Sequence, residues 1–508
     1  MLCLRQNQRL YPLHSLVDPE KEGKRFLINY PPKGFVIFLG LGCGYHIEPY
    51  LAFTEVTTLL IIDTDIQVLY AVLCRIDLHK FFLDPRVFLL IDPSKEELED
   101  FFLSHYLPSL SGDIQTVPLR SRINLAMEFF QPCIEVFHKG METLSNDFTV
   151  QSHFGKKWFA NSLANLPIAE KATLTISPKA KVCITAAGPS LEESIPKLKT
   201  IRKEALLIAT DTSLPALLEQ DILPDLVLSI DCQHISYHHF LRGLPEEVPL
   251  ILDLASPPLL ARITSKLLFF ASPHPFSRYI RTYWRQFPPL DTSGGNVTHT
   301  AVSLALALQA QQVYLFGADF SYPQGKSYAR GTYLYPYFFQ KSNRFLPIEA
   351  SFIHFLFSHP LLKRLSSVKG IQYLPPRMES YRTLLEEVIE RSSLSLIKNP
   401  FEIPSMAISN PNAHSTLVSF FSAGASPCSW REFLLDYQRK IQTLPKPSDP
   451  VISYFHSLDS NQRNLWTTLL PISAVVLREK ANGEPLPSQL LLESREWALE
   501  RIERTLQV

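Results

Sequence analysis

Charge of one sign, paired cysteines and long apolar runs are all missing from this 508-residue sequence, and each absence removes a class of function. Lys plus Arg and Asp plus Glu both number 49, so no net charge draws the chain to nucleic acid or an anionic membrane, and any phosphate site has to be built locally. The seven cysteines (Cys3, Cys43, Cys74, Cys133, Cys183, Cys232, Cys428) form no CxxC pair, no zinc spacing and no dense framework, which fits reduced thiols. Behind MLCLRQNQRLYPLHS there is no continuous apolar stretch of a secretory leader, because Pro12 interrupts it. Nor does any run of about 20 apolar residues exist to span a bilayer. TTLLPISAVVL comes nearest, and Pro471 is expected to break it. Internal repeats and low-complexity tracts are absent too. The expectation is a cytoplasmic protein with no membrane span and no nucleic-acid partner.

What is present is alternation. FVIFLG (35–40), TLLIID (58–63) and RVFLLID (86–92) are compact apolar runs at helix-length intervals, the pattern of a parallel sheet buried on both faces. A second series follows: VCITAAG (182–188), ALLIATD (205–211), LVLSID (226–231), PLILDLA (249–255), LLFFAS (267–272) and QVYLFGAD (312–319). Starts about 20 residues apart suit βα units with right-handed crossovers. Between the two series, Phe154, Trp158, Leu163 and Leu166 recur near helical spacing and predict a connecting helix over 146–166. After about residue 370 the strand runs stop; EEVIERSSLSLI, WREFLLDYQRKIQTL and LLLESREWALERIERTL read as helices joined by loops such as LPKPSDP. The fold class expected is α/β, with two Rossmann-like parallel-sheet domains (1–145 and 146–365) and a helical C-terminal region (366–508).

In open α/β sheets ligands lie outside the carboxyl ends of the strands, so the residues ending each run carry the functional argument. The first run of the second series ends in Gly188, Pro189 and Ser190, before a helix whose first turn holds a hydroxyl and acids. That turn serves equally well as an ordinary capped βα junction or as a place where backbone meets an anion. Asp211, Asp231 and Asp319 end three further runs. One such aspartate alone is read as a helix cap; three on one rim favour a polar ligand or a reacting hydroxyl. Ser293, Gly294, Gly295 and Asn296 precede a helix with an apolar stripe of Val297, Ala301, Leu304 and Leu308, a bunching of amides that suits a phosphate, without the lysine of a Walker loop. His299 falls in that helix's first turn, facing the ligand or the core edge. Lys326 and Arg330, among the tyrosines of SYPQGKSYARGTYLYPYFF, either clamp a sugar or nucleotide or belong to a packed lid.

The first domain carries a weaker fingerprint. Gly40, Gly42 and Gly44 of GLGCG follow a strand, and Asp63 ends the next one where a ribose-binding acid would stand. The third glycine of the dinucleotide pattern is missing. GxGxG resembles an S-adenosylmethionine turn, but no methyl-transfer motif follows, so a Rossmann-like scaffold with a lost or unknown ligand is the reading.

Taken in order, AGPSLEESIPKL, ATDTSLPALLEQDILPDLVLSID and TSGGNVTHTAVSLALALQAQQVYLFGADFSY resemble the motility-associated factor (Maf) family of bacterial flagellin glycosyltransferases, whose central domain is shared with archaeal 6-hydroxymethylpterin diphosphokinase (MptE)-like proteins. The likeness covers about residues 150–345. It implies a sialyltransferase-like central domain and transfer of a nonulosonic acid from its CMP-activated form to Ser or Thr of flagellin, or another acceptor protein, in the cytoplasm. Gly188, Ser190, Asp211, Asp231, Gly294, Gly295 and Asp319 would then line the donor site, with Asp231, Asp319 or His299 taking the acceptor proton. No cofactor or metal is implied with certainty, though magnesium is compatible. Two departures stand out: Gly317-Ala318-Asp319-Phe320 where the family commonly has GQDL, and Cys232-Gln233 after Asp231 where the diphosphokinase branch has a second aspartate. The alternatives are a pterin-type diphosphokinase using ATP and magnesium, and a non-catalytic nucleotide- or sugar-binding protein.

Overall fold

Every residue of Phe35–Leu39 is buried, and the alternation of a strand sends Val36 and Phe38 to one apolar cluster and Phe35, Ile37 and Leu39 to another. This strand is central to a four-stranded, all-parallel sheet ordered Val87–Ile91, Thr58–Asp63, Phe35–Leu39, Ile114–Pro118. The fourth strand escapes a reading for apolar runs because, as an edge strand, it carries Gln115 and Thr116 and is only partly buried. In the computed structural model of the protein, residues 2–6, 8–358, 361–367, 370–391, 395–397, 406–409, 421–480 and 485–507 are described. They divide into two compact units, Met1–Lys156 with Gln438–Arg504, and Lys157–Tyr437 with Thr505–Val508.

The first unit thus combines this sheet with helices from the end of the chain. In Ser460–Glu479 an Asp459/Gln462 capping box starts the helix, and buried Trp466 donates to the Tyr454 hydroxyl at 2.8 Å. The expectation that Pro471 breaks this segment is corrected: the helix runs through it. Proline removes one amide donor, and the helix is held there by close packing, since a Cβ on Gly155 would stand 1.9 Å from the Pro471 carbonyl oxygen. Among the described residues no helix is long and apolar enough to cross a membrane.

The second unit is built on eight strands. Six are parallel, in the order Leu267–Phe270, Leu250–Asp253, Leu226–Ser229, Leu206–Thr210, Lys181–Thr185, Gln312–Phe316. Met406–Ser409 and Ser395–Ile397 extend the Gln312 side antiparallel. The chain moves outward from Lys181–Thr185, then returns to lay Gln312–Phe316 on its other side, so strand order reverses between these two. One sheet face packs Val182, Ile184, Ile208, Ile251 and Val313 against Ala301, Leu304 and Leu308 of helix Val297–Ala307 and its cap, the stripe read from the sequence.

Two further corrections follow. Strands do not stop at 370: Gly370–Leu374 pairs with both Lys363–Ser367 and Tyr322–Pro323. EEVIERSSLSLI is also not one helix, because Pro376–Arg391 ends before Ser395–Ile397 joins the main sheet. Residues 410–420 lie outside the described residues. The connecting helix is much longer than expected, Met127–Lys171, and the boundary between the units falls within it. Asn161 and Asn165, one turn apart, donate to the carbonyls of Cys232 and Ala255 and of Leu254 and Ser256, tying its last turns to the strand ends.

That helix ends on a guanidinium. Buried Arg285 donates to the carbonyl oxygens of Ala169, Glu170 and Ala172, and to Gly424 at 2.6 Å. The carbonyls of a helix end have no intrahelical donor, so one planar cation satisfies the group. Arg285→Met keeps the bulk and removes the donors; the expected loss is about 2–4 kcal/mol in urea denaturation. A loss below about 0.5 kcal/mol would show that the cap holds nothing.

Candidate functional site

The reversal of strand order sets the site. Beyond Thr185 and Phe316 the two strand ends stay paired, Ala186 N donating to Phe316 O and Gly188 N to Gly317 O, both at 2.8 Å. A Cβ on Gly188 would stand 2.2 Å from Asp319 Oδ2, and one on Gly317, whose φ is +69°, 2.4 Å from the Ala186 carbonyl oxygen. Glycine is therefore required on both sides of the crossing, and at Gly188 the close neighbour is a carboxylate of the protein itself. Helix Ser190–Ile201 has no cap from Pro189; instead its Ser190 amide donates to Asp319 Oδ2 at 2.9 Å. The expected capping by the Ser190 hydroxyl is replaced by a carboxylate 129 residues away in sequence. Burial pushes the Asp319 carboxyl up, against the pull of its bonds to Ser190.

Here a cavity of about 210 Å³ opens, lined by Ala186–Gly188, Thr210, Thr212, Asn296–Thr298, Gly317–Ser321, Ser327, Tyr328, Met378 and Tyr381. Asn296 caps helix Val297–Ala307, Oδ1 accepting from the amides of Thr298 at 2.9 Å and His299 at 3.2 Å. Its amide nitrogen then donates to His299 Nδ1, which leaves the ring proton on Nε2. Burial lowers the His299 pKa to about 4, so the ring is neutral. Gly294 makes room for that ring: a Cβ would stand 2.3 Å from its Cγ. Ser293 N is bonded to Asp291 and Gly295 N to Thr292 O, so much of the amide cluster read as a phosphate cradle is already used by the protein.

Asp211 and Asp231 follow neighbouring parallel strands on the same rim; neither lines the cavity, although Thr210 and Thr212 on either side of Asp211 do. Asp211 accepts from Ser229 Oγ at 2.6 Å and from the amide and hydroxyl of Thr212. Asp231 accepts from Gln233 N at 2.9 Å; burial first, then the charge of Asp211, pushes its carboxyl up. Lys326 Nζ lies 3.7 Å from Glu192, and the backbone amide of Arg330 donates to the same carboxylate at 3.0 Å, while the Arg330 residue itself is exposed.

Tyr328 comes from the tyrosine-bearing stretch after Asp319 whose aromatics read as a clamp or a packed lid; sequence reasoning missed Tyr381, a wall supplied by a helix beyond the six parallel strands, and it missed Asp253. Asp253 ends the fourth strand of the series as the others end theirs, so the strand-end rule was the signal that would have found it. It is 2 % exposed, bonded to Ser272 Oγ at 2.9 Å, and burial raises its pKa to about 7. His274, 3.9 Å away and stacked on Trp158 with ring centroids 3.8 Å apart, is held neutral by burial with its pKa lowered to about 4.

The remaining predicted residues belong to the first unit, where Gly40, Gly42 and Gly44 all have positive φ. Asp63 holds Leu41 N at 2.7 Å and forms a buried ion pair with Arg122, whose Nη2 lies 2.6 Å from Oδ1. The space beside turn and acid has a volume of about 0 Å³. Side chains fill the glycine positions: added Cβ atoms would meet Arg122 at Gly40, His14 and Leu119 at Gly42, and Phe81 at Gly44. The acid placed for a ribose is thus spent on an internal guanidinium.

Comparison with known proteins agrees with both halves of this description. Residues 157–325 match the 6-hydroxymethylpterin diphosphokinase MptE-like family and residues 14–85 the Glycosyltransferase Maf N-terminal domain. Three uncharacterised proteins of Treponema pallidum (strain Nichols) are similar: one is 31 % identical over 32 % of this chain and 79 % of its own length, one 33 % identical over 30 % and 54 %, and one 23 % identical over 47 % and 53 %. The chain thus spans about half the length of the latter two relatives. The MAf glycosyltransferase of Magnetospirillum magneticum AMB-1 shares the fold, with a TM-score of 0.55 at 15 % identity over 100 % of this chain and 89 % of that one. Fold and rim define an α/β protein with a Rossmann-like unit and an MptE-like domain bearing a switch-point cleft. The chain belongs to the Maf glycosyltransferase family.

Two outcomes test the rim. Gly188→Ala drives a Cβ into the Asp319 carboxylate and is expected to destabilise the protein by about 1–3 kcal/mol; wild-type melting would refute the crossing as a constraint. Asp253 has its folded pKa raised from 3.8 to about 7, so the folded state holds the proton more tightly than the unfolded chain. Stability contributed by this group therefore falls as pH rises from about 4 to about 7, by up to about 1.4 kcal/mol per unit, and is level above. Asp253→Asn removes that slope, so the variant gains on wild type between pH 4.5 and pH 7.5 in denaturation; parallel curves would place the titration elsewhere.

Proposed function

We propose that the protein transfers a nonulosonic acid from its CMP-activated form to a Ser or Thr hydroxyl of flagellin in the cytoplasm. The observation that carries this reading is the switch-point cavity, walled by Tyr328 and Tyr381 with Asp319 in its lining, on a rim where burial and the charge of Asp211 raise the proton affinity of Asp231. Aromatic walls suit the base or sugar ring of a donor, and Thr210, Thr212, Ser321 and Ser327 offer hydroxyls to its polar edge. Family membership supplies the reaction class.

In this reading Asp231 accepts the proton of the acceptor hydroxyl as its oxygen attacks the sugar's anomeric carbon, and the bond to the CMP phosphate breaks. A carboxylate whose pKa is raised towards working pH is a better base than a solvated one. Burial lowers the His299 pKa to about 4, which weakens that ring as a base relative to an ordinary imidazole. Asp319 is a positioning residue: it fixes helix Ser190–Ile201, whose first amides lie at the cavity edge where a departing phosphate gathers charge. Should magnesium take part, Asp211 and Asp231 are the carboxylates through which it would act.

Calorimetry with CMP and ATP, each with and without magnesium, tests the donor. Selective CMP binding is expected, and magnesium-dependent ATP binding without CMP binding would transfer the site to diphosphoryl chemistry. Asp231→Ala is expected to cut transfer to purified flagellin about 10²–10⁴-fold, read by intact mass, with CMP affinity changed less than about threefold. Undiminished transfer would remove Asp231 as the base.

A further inference from the structure

Strand order also reverses in the first unit. From Phe35–Leu39 the chain leads to Thr58–Asp63 and Val87–Ile91 and then returns to Ile114–Pro118 on the other side. The position beside the glycine turn is closed, with Asp63 and Arg122 paired and about 0 Å³ left. Past the end of Ile114–Pro118, however, lies an open cavity of about 520 Å³, bounded by residues 12–16, helix Pro19–Asn29 and residues 118–121. Its size is that of a site for a small molecule, and it stands where open α/β sheets bind ligands.

We propose that this cavity binds a small hydroxylated molecule carrying one carboxylate or phosphate group. Arg25 and Arg120 line it, both are exposed, and neither has an acidic partner among the described residues. Two unpaired guanidiniums at one opening recognise a planar or tetrahedral anion with paired donors. The acid inside, Glu22, is engaged by the protein: it accepts from Ser15 N at 2.7 Å and lies 3.1 Å from His14 Nδ1. His14 itself is buried, and burial lowers its pKa against the pull of Glu22; its Nε2 packs against the glycine turn, 2.6 Å from where a Cβ on Gly42 would stand, so it belongs to the closed side of the site. Phe26 and Tyr30, stacked with centroids 6.0 Å apart, give the cavity an apolar wall, and Asn29 adds an amide for a hydroxyl. The anion meets Arg25 and Arg120, and the carbon skeleton lies along the two rings.

This site is separate from the proposed donor cavity, and its test keeps the two apart. Full-length protein is titrated with N-acetylneuraminic acid, with ribose 5-phosphate and with neutral N-acetylglucosamine. Binding of at least one anionic probe, with none of the neutral sugar, is expected; which anion binds identifies carboxylate or phosphate as the group recognised. Arg25→Glu combined with Arg120→Glu should weaken that binding at least about tenfold at an unchanged melting temperature, because both side chains are exposed. Asp231→Ala should leave it intact. The proposal is overturned if neither anion binds, if the neutral sugar binds as well, if the double variant binds like wild type, or if Asp231→Ala abolishes the binding.

Discussion

Everything at the central rim depends on one close approach of backbone to backbone. Where Lys181–Thr185 and Gln312–Phe316 leave the sheet, Gly188 and Gly317 let the two exits remain hydrogen-bonded for another turn instead of splaying. That approach carries Asp319 under the amide of Ser190, and a carboxylate from the last parallel strand caps the helix after the first. The cavity is the space left above this junction, so its floor is rigid backbone and its walls are side chains sent in from later segments. A larger residue at either glycine would move the floor, the cap and the cavity together.

The electrostatics follow from the same geometry. Four strand-end aspartates share one rim, and burial raises Asp231, Asp253 and Asp319 in turn, with hydrogen bonds pulling the other way. Of the cations read from the sequence, Lys326 turns to Glu192 and neither Lys326 nor Arg330 lines the cavity. A rim of buried, hydrogen-bonded acids beside a cavity with no Lys or Arg in its lining accepts protons more readily than it binds phosphate by charge. What phosphate binding it offers must come from helix amides, and the capping by Asp319 and Asn296 uses part of those.

Residues buried on both faces were legible because burial writes itself as continuous apolar runs, and all nine strands expected from such runs are strands of the two main sheets. Ile114–Pro118 was not, since an edge strand tolerates Gln115 and Thr116; Ser395–Ile397 and Met406–Ser409 were not, since short pairings between distant segments leave no period. Strand-end positions were legible by topology, Gly188 and Asp319 lining one cavity, and the helix cap Asn296 joins them there. Their partners were not. Nothing local says that Asp319 will cap the helix at Ser190, or that Asp63 will be neutralised by Arg122, 59 residues on. Tyr381 arrives from a helix that the sheet pattern does not include.

Both units obey the same topological rule and reach opposite results by one substitution of partner. In the first, the acid at the second strand end meets a guanidinium buried beside it, the glycines admit side chains, and the nucleotide position closes. In the second, the corresponding Asp211 meets hydroxyls from Ser229 and Thr212, which satisfy its oxygens without cancelling its charge. A paired ion is inert, whereas a charge held by neutral donors still perturbs its neighbour, and Asp231 is that neighbour. Whether a strand-end acid serves the fold or the chemistry is therefore decided by the charge of the group that holds it, a property of the tertiary structure that a shared fingerprint does not carry.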